Sequence, residues 1–187
     1  VARLIEIVRS RAQLSAGAEV TIEANPDDIS AASAAAWHEA GVNRLSIGAQ
    51  SFDPGVLAWM HRPHTAERIS ESVETAREVG LRNFSLDLIF SLPDHLQRDW
   101  ARDLDLPLSL VPPHVSLYGL TVEGGTPLGR WVERGTVTEA PEESYEREYL
   151  MAHERATAAG LEHYEVSNFG RPGFRSRHNS VYWSGVP

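Results

Sequence analysis

The sequence predicts an α/β fold carried by parallel strands, on three observations. Segments readable as strands alternate with segments readable as helices at intervals of about 25–40 residues. Within the strand segments apolar and polar residues alternate with period two, so one face is meant for a core and the other is not. The helical segments stop on glycine, at Gly41, Gly80 and Gly160, where a left-handed residue closes a helix at no steric cost. With 187 residues, 42% of them hydrophobic, the chain can bury one sizeable core. One domain, or a piece of a larger one, is expected.

Taken in order, the chain opens in a helical pattern, with Val1, Leu4, Ile5, Val8 and Ala12 spaced three and four apart. It has no initiating Met and reads as a cropped segment. Strands are expected at 19–25, 43–50, 83–90, 114–121 and 162–167. A helix after Pro26 takes Asp27 and Asp28 as cap candidates and carries Ile29, Ala32, Ala36, Trp37 and Ala40 on one stripe. Another starts at Thr65 and buries Ala66, Ile69, Val73 and Ala76. Gly, Pro and charged residues rise from Gly124 to Glu143, which predicts a crossing loop before a long helix around 145–159. The organisation expected is a core over 1–123 and a C-terminal extension over 124–187.

Period two also sorts the strand faces. Val20, Ile22 and Ala24 separate from Thr21, Glu23 and Asn25, and Leu45, Ile47 and Ala49 separate from Ser46, Gly48 and Gln50. Asp87 opposes Phe84, Leu86 and Leu88. A bare acid in a closed core costs several kcal/mol unless paired. Polar residues on one face of three strands therefore suggest a wet interior that holds a ligand. The alternative is an open sheet whose polar face meets solvent.

The net charge of −9 and a pI near 5.3 argue against a nucleic-acid partner, which demands clustered Lys and Arg. No run approaches the ~20 apolar residues of a membrane span, and no signal peptide opens the chain, so a cytoplasmic location is expected. There is no Cys, hence no disulfide, thiolate zinc site, thiol nucleophile or cysteine-ligated cluster formed from these residues.

Four phrases at the strand ends carry a resemblance: E-A-N-P-D from Glu23, R-L-S-I-G-A-Q-S-F from Arg44, L-D-L-I-F-S-L-P from Leu86 and Y-G-L-T-V-E-G-G-T-P-L from Tyr118. In this order and at these separations they resemble the strand motifs of the oxygen-independent coproporphyrinogen III oxidase family of radical S-adenosylmethionine (SAM) proteins. The resemblance implies a partial (β/α)6, TIM-like barrel whose first strands lie outside this chain. It implies SAM and a 4Fe–4S cluster as cofactors, with the cluster cysteines in a C-x-x-x-C-x-x-C loop expected upstream of Val1. By position in these motifs, Glu23, Gln50, Arg62, Asp87 and Thr121 are implied at the SAM site. Arg62 suits the SAM carboxylate, Glu23 and Gln50 suit its hydroxyls or amino group, and Asp87 either contacts the cofactor or holds Arg62. Thr121 would act mainly through its backbone. Ser91 stands where the family usually has glycine, so this loop is expected to differ if the position needs a positive φ.

The phrase R-H-N-S-V-Y-W resembles the H-N-x-x-Y-W motif of the family's haem-chaperone branch, the HemW proteins. It implies His178 as an axial haem ligand, with Asn179, Tyr182 and Trp183 around a porphyrin. The structural alternative is that His178 and Asn179 hold the barrel closed while Tyr182 and Trp183 are core. Two functions follow. One is a chaperone that binds haem and passes it to an apo-haemoprotein. The other is an oxidase that decarboxylates coproporphyrinogen III through a 5′-deoxyadenosyl radical, so whether the protein is an enzyme stays open. A third reading makes Glu23 and Asp87 an acid–base pair in an unrelated barrel enzyme.

Overall fold

The structure, a computed structural model, describes residues 1–185. It starts with α1 (Ala2–Arg11), β1 (Thr21–Ala24), α2 (Ala31–Glu39), β2 (Arg44–Gln50), α3 (Pro54–Trp59), α4 (Ala66–Glu78) and β3 (Phe84–Phe90). There follow α5 (Trp100–Ser109), β4 (His114–Gly119), α6 (Pro127–Glu133), α7 (Glu142–Ala158), β5 (Glu162–Glu165), β6 (Asn168–Gly170) and α8 (Arg177–Ser184). The predicted crossing loop thus contains a short helix, α6. The strands form one sheet in the order β1-β2-β3-β4-β6-β5. The first four are parallel neighbours joined by helices, as the strand-then-helix spacing predicts.

The last two strands correct that reading. β6, which no sequence pattern announced, pairs antiparallel with β4, and β5 pairs antiparallel with β6 at the sheet edge. Only Val166 and Ser167 separate β5 from β6, whereas a parallel connection needs a dozen residues or more, so the pair must be a hairpin. A three-residue strand ending in glycine shows no periodicity to detect.

The apolar strand face makes the core. Leu45, Ile47 and Ala49 of β2, Phe84, Leu86, Leu88 and Phe90 of β3, and Val115 and Leu117 of β4 are buried. They join one cluster with Ile69, Val73 and Ala76 of α4, Trp100 and Leu104 of α5, and Ala152 and Ala156 of α7. Each such Val, Leu, Ile or Phe side chain contributes roughly 1.5–3 kcal/mol on burial. α4 is as predicted: the Thr65 hydroxyl accepts from the Arg68 amide at 3.3 Å, and Gly80 ends the helix at φ +95°.

Two other helices differ from expectation. Asp27 and Asp28 do not cap α2; Pro26–Asp28 form a 3₁₀ turn, in which the Asp28 carboxylate accepts from the Asn25 amide, and Ser30 caps α2 instead. The helix starts later, so Ala34 is buried while Ala32 and Ala36 face solvent. α1 forms, but Leu4 and Val8 are exposed and only Ile5 of the predicted stripe packs on the core.

The loops at the carboxyl ends of β2 and β3 are tied down by a side chain that sequence reading did not single out. The guanidinium of Arg98, 3% exposed, pairs with Glu148 of α7 at 2.7 Å and Asp103 of α5 at 3.3 Å, and donates to the Ile89 carbonyl at 2.8 Å. It also lies over the Trp100 ring, 4.2 Å from its centre. Asp103 accepts a further bond from the Ser51 hydroxyl at 2.7 Å, and Glu148 accepts the Ser91 amide at 2.8 Å. Ser91 does take a positive φ, +58°, the conformation that a glycine would adopt freely.

Candidate ligand site at the carboxyl ends of the strands

Register turns the polar strand residues into rows. Glu23 lies beside Ser46, Ser46 beside Ser85 and Ser85 beside His114, one residue from each of four parallel strands. A second row runs Asp87, Ser116, Asn168 and Glu165 from β3 to β5. The rows are continuous because paired residues of neighbouring strands, parallel or antiparallel, point to the same face of a sheet.

Toward β1 these rows open into a cavity of about 330 Å³ lined by Glu23, Ala24, Asn25, Ser46, Gly48, Gln50 and Asp87. Three of the residues singled out from sequence, Glu23, Gln50 and Asp87, therefore meet. Gln50 ends β2 at φ +65°, where the β2–β3 register shifts, so its side chain is turned by backbone strain that a non-glycine residue rarely bears. Gly48 makes room for it: a Cβ there would lie 2.9 Å from the Gln50 amide nitrogen. Arg62 reaches the rim, donating to the Asn25 side-chain oxygen at 3.2 Å. Asp87 does not hold Arg62. Thr121 lies beyond the end of β4, is exposed, and is not among the cavity's lining residues.

Asp87 is the electrostatic centre. Burial pushes its carboxyl above the usual carboxylate range, and hydrogen bonds from serines together with the charge of Arg44 pull the other way. The Ser46 hydroxyl donates to one carboxylate oxygen at 2.6 Å and the Ser85 hydroxyl to the other at 2.8 Å. Arg44, 3% exposed, bonds the Asn83 side chain at 3.0 Å and the Phe174 carbonyl at 3.3 Å. His114, fully buried, contacts the Ser85 hydroxyl through Nδ1 at 2.9 Å and the Tyr164 hydroxyl through Nε2 at 2.7 Å.

Burial, with the nearby Arg44 charge, lowers the His114 pKa to about 3. The unfolded chain therefore takes up a proton on this ring at a pH where the folded chain does not. Stability present above pH 6.5 should be lost as pH falls toward 3, by about 2 kcal/mol at pH 5. Denaturant titrations at pH 7 and pH 5 check this, and His114→Gln should flatten the difference. An equal pH dependence in the variant would place the acid sensitivity elsewhere.

The tail residues sit apart from the cavity. α8 is capped by Ser176, whose hydroxyl accepts from the Asn179 amide at 3.3 Å. His178 and Tyr182 are exposed on one face of α8, Nε2 and hydroxyl 3.3 Å apart, and the Trp183 indole donates to Glu165 at 3.0 Å. Tyr182 and Trp183 are 74% and 63% exposed and do not join the core of this chain.

The family model described as the Radical SAM superfamily matches residues 1–106, more than half of the chain. The chain belongs to that superfamily. Among its radical SAM relatives, it is 36% identical over 170 residues to "Heme chaperone HemW" of Synechocystis sp., covering 91% of this chain and 41% of that protein. It is 39% identical over 166 residues to the Bacillus subtilis protein of the same name, covering 89% and 44%. Identity with that of Escherichia coli is 38% over 180 residues, covering 96% and 47%. This radical SAM chain spans less than half the length of these relatives. The structure described as coproporphyrinogen III oxidase (HemN) from Escherichia coli shares its fold, with a TM-score of 0.79 at 23% identity over 99% of this chain and 42% of that one. No helix of the radical SAM chain among the described residues is long and apolar enough to cross a membrane.

Proposed function

We propose that the protein is a haem chaperone that holds SAM at the carboxyl ends of its strands and takes up haem at α8 for transfer to an apo-haemoprotein. The observation that carries this reading is the exposed trio of His178, Tyr182 and Trp183 in a chain 36–39% identical to proteins named for haem chaperoning. A neutral imidazole is a good iron ligand, and flanking aromatic rings suit a porphyrin face. The reading includes a cytoplasmic location.

The cavity's chemistry fits SAM. Glu23, Gln50 and Asp87 present acceptors for its ammonium and ribose hydroxyls, and Arg62 at the rim offers a fork for its carboxylate. Bound SAM supplies radical chemistry in this superfamily; these side chains orient it and keep Asp87 partly dry. A 4Fe–4S cluster does not fit the residues of this chain, which contain no thiolate.

Haem titration of the complete protein tests the reading. His178→Ala should weaken haem binding by about 10-fold or more, move the Soret band, and leave SAM affinity measured without haem unchanged, because His178 does not line the cavity. Turnover of coproporphyrinogen III coupled to SAM cleavage, with a haem spectrum indifferent to the substitution, would overturn it in favour of the oxidase.

A further inference from the structure

With Asp87 ionised, the hydrogen bonds around His114 favour one proton arrangement. The Ser85 hydroxyl has a single proton, and it goes to the Asp87 carboxylate at 2.8 Å. Ser85 Oγ then accepts from His114 Nδ1 at 2.9 Å. With its proton on Nδ1, the neutral ring has a lone pair at Nε2, which accepts from the Tyr164 hydroxyl at 2.7 Å. The Tyr164 oxygen in turn accepts from the backbone amide of Ser176 at 3.1 Å. Every donor in the series points toward Asp87. The far end is the cap of α8, where Ser176 also accepts through its carbonyl from the Ser180 hydroxyl at 2.7 Å.

We propose that His114 and Tyr164 are positioning residues that orient Asp87 for its ligand and couple that carboxylate to the placement of α8. The coupling rests on the reading of the cavity and tail given above; the hydrogen-bonded series does not. A series aligned this way stabilises the ionised carboxylate, since its last link is an O–H donated to a negative oxygen. A ligand that favours ionised Asp87, as an ammonium or a hydroxyl donor does, then favours the same arrangement at Tyr164 and Ser176. By reciprocity, whatever immobilises α8 favours ligand at Asp87. No other path of side-chain hydrogen bonds is needed, because Ser85, His114 and Tyr164 span β3, β4 and β5 in two steps.

Tyr164→Phe removes one oxygen and keeps the ring against His114. In the complete protein labelled with ¹⁵N-histidine, His114 should show the neutral form protonated at Nδ1; a ring protonated at Nε2 would overturn the proposal. Hydrogen exchange at the Asn179 and Ser180 amides should speed up in Tyr164→Phe and also in Ser85→Ala, while the amides of α4 keep their protection. SAM affinity should fall about five-fold or more in each, and the double variant should lose no more than the worse single, because both cut one series. A merely structural tyrosine predicts a lower melting temperature with SAM affinity intact and additive losses. Should Asp87→Asn leave SAM affinity unchanged, the SAM reading is the one that fails, and the ¹⁵N and exchange results still decide for or against the pair.

Discussion

Arg98→Ala is expected to destabilise the fold by about 3–5 kcal/mol, enough to unfold a marginal domain. The guanidinium is almost wholly buried, and its removal leaves Asp103 and Glu148 without the cation that both face. Burial already pushes the Asp103 carboxyl upward, and Arg98 is one of the groups that hold it down, after Ser51 and the Phe52 amide. The damage should reach the ligand cavity, because the Ser51 that bonds Asp103 directly follows Gln50. Denaturant midpoints measure the loss. Arg98→Lys should recover only part of it, since an ammonium cannot serve two carboxylates, the Ile89 carbonyl and the Trp100 face in one plane. A loss below about 1 kcal/mol would mean that the network is dispensable.

Asp87→Asn should act in two directions. SAM affinity should drop by roughly 100-fold or more, the loss expected when a buried charged partner becomes neutral. Stability at neutral pH should instead rise, by about 1 kcal/mol. The sign follows from burial: the Asp87 pKa is raised above 3.8, so the folded state holds this proton more tightly than the unfolded chain. Ionising it is a cost that sets in as pH climbs from about 4 through the raised value, and asparagine removes the cost. Melting curves from pH 4 to pH 8, with and without SAM, separate the effects. Wild-type protein should fall behind the variant as pH rises without ligand and overtake it when SAM is saturating. A variant that is less stable at pH 7 and binds SAM normally would remove Asp87 from the site.

Much of this was readable before folding. Glu23, Gln50 and Asp87 were placed together by alternation within separate strands, and the parallel register carried them to one cavity. Arg62 was placed by a resemblance, and its bond to Asn25 puts it at the rim. The strand was expected to reach Thr121, but β4 ends two residues earlier and leaves Thr121 outside the cavity lining. The cap of α2 was misread because Asp27, Asp28 and Ser30 are all good caps, and the 3₁₀ turn at Pro26 decides among them. Tyr182 and Trp183 are residue types common in cores, and only the folded structure shows them exposed on α8.

By itself, then, the sequence determined which faces of the strands would be wet and where α4 begins and ends. Those are local properties: period two and a capping hydroxyl act across a few residues. Only the tertiary structure decided the left-handed turn at Gln50, the burial of Arg98 and the contacts that link Asp87 to α8. Each depends on partners far apart in the chain, His114 lying 29 positions from Ser85 and 50 from Tyr164, and Arg98 50 from Glu148. Such partners are chosen by strand order and helix docking, after the local elements have formed.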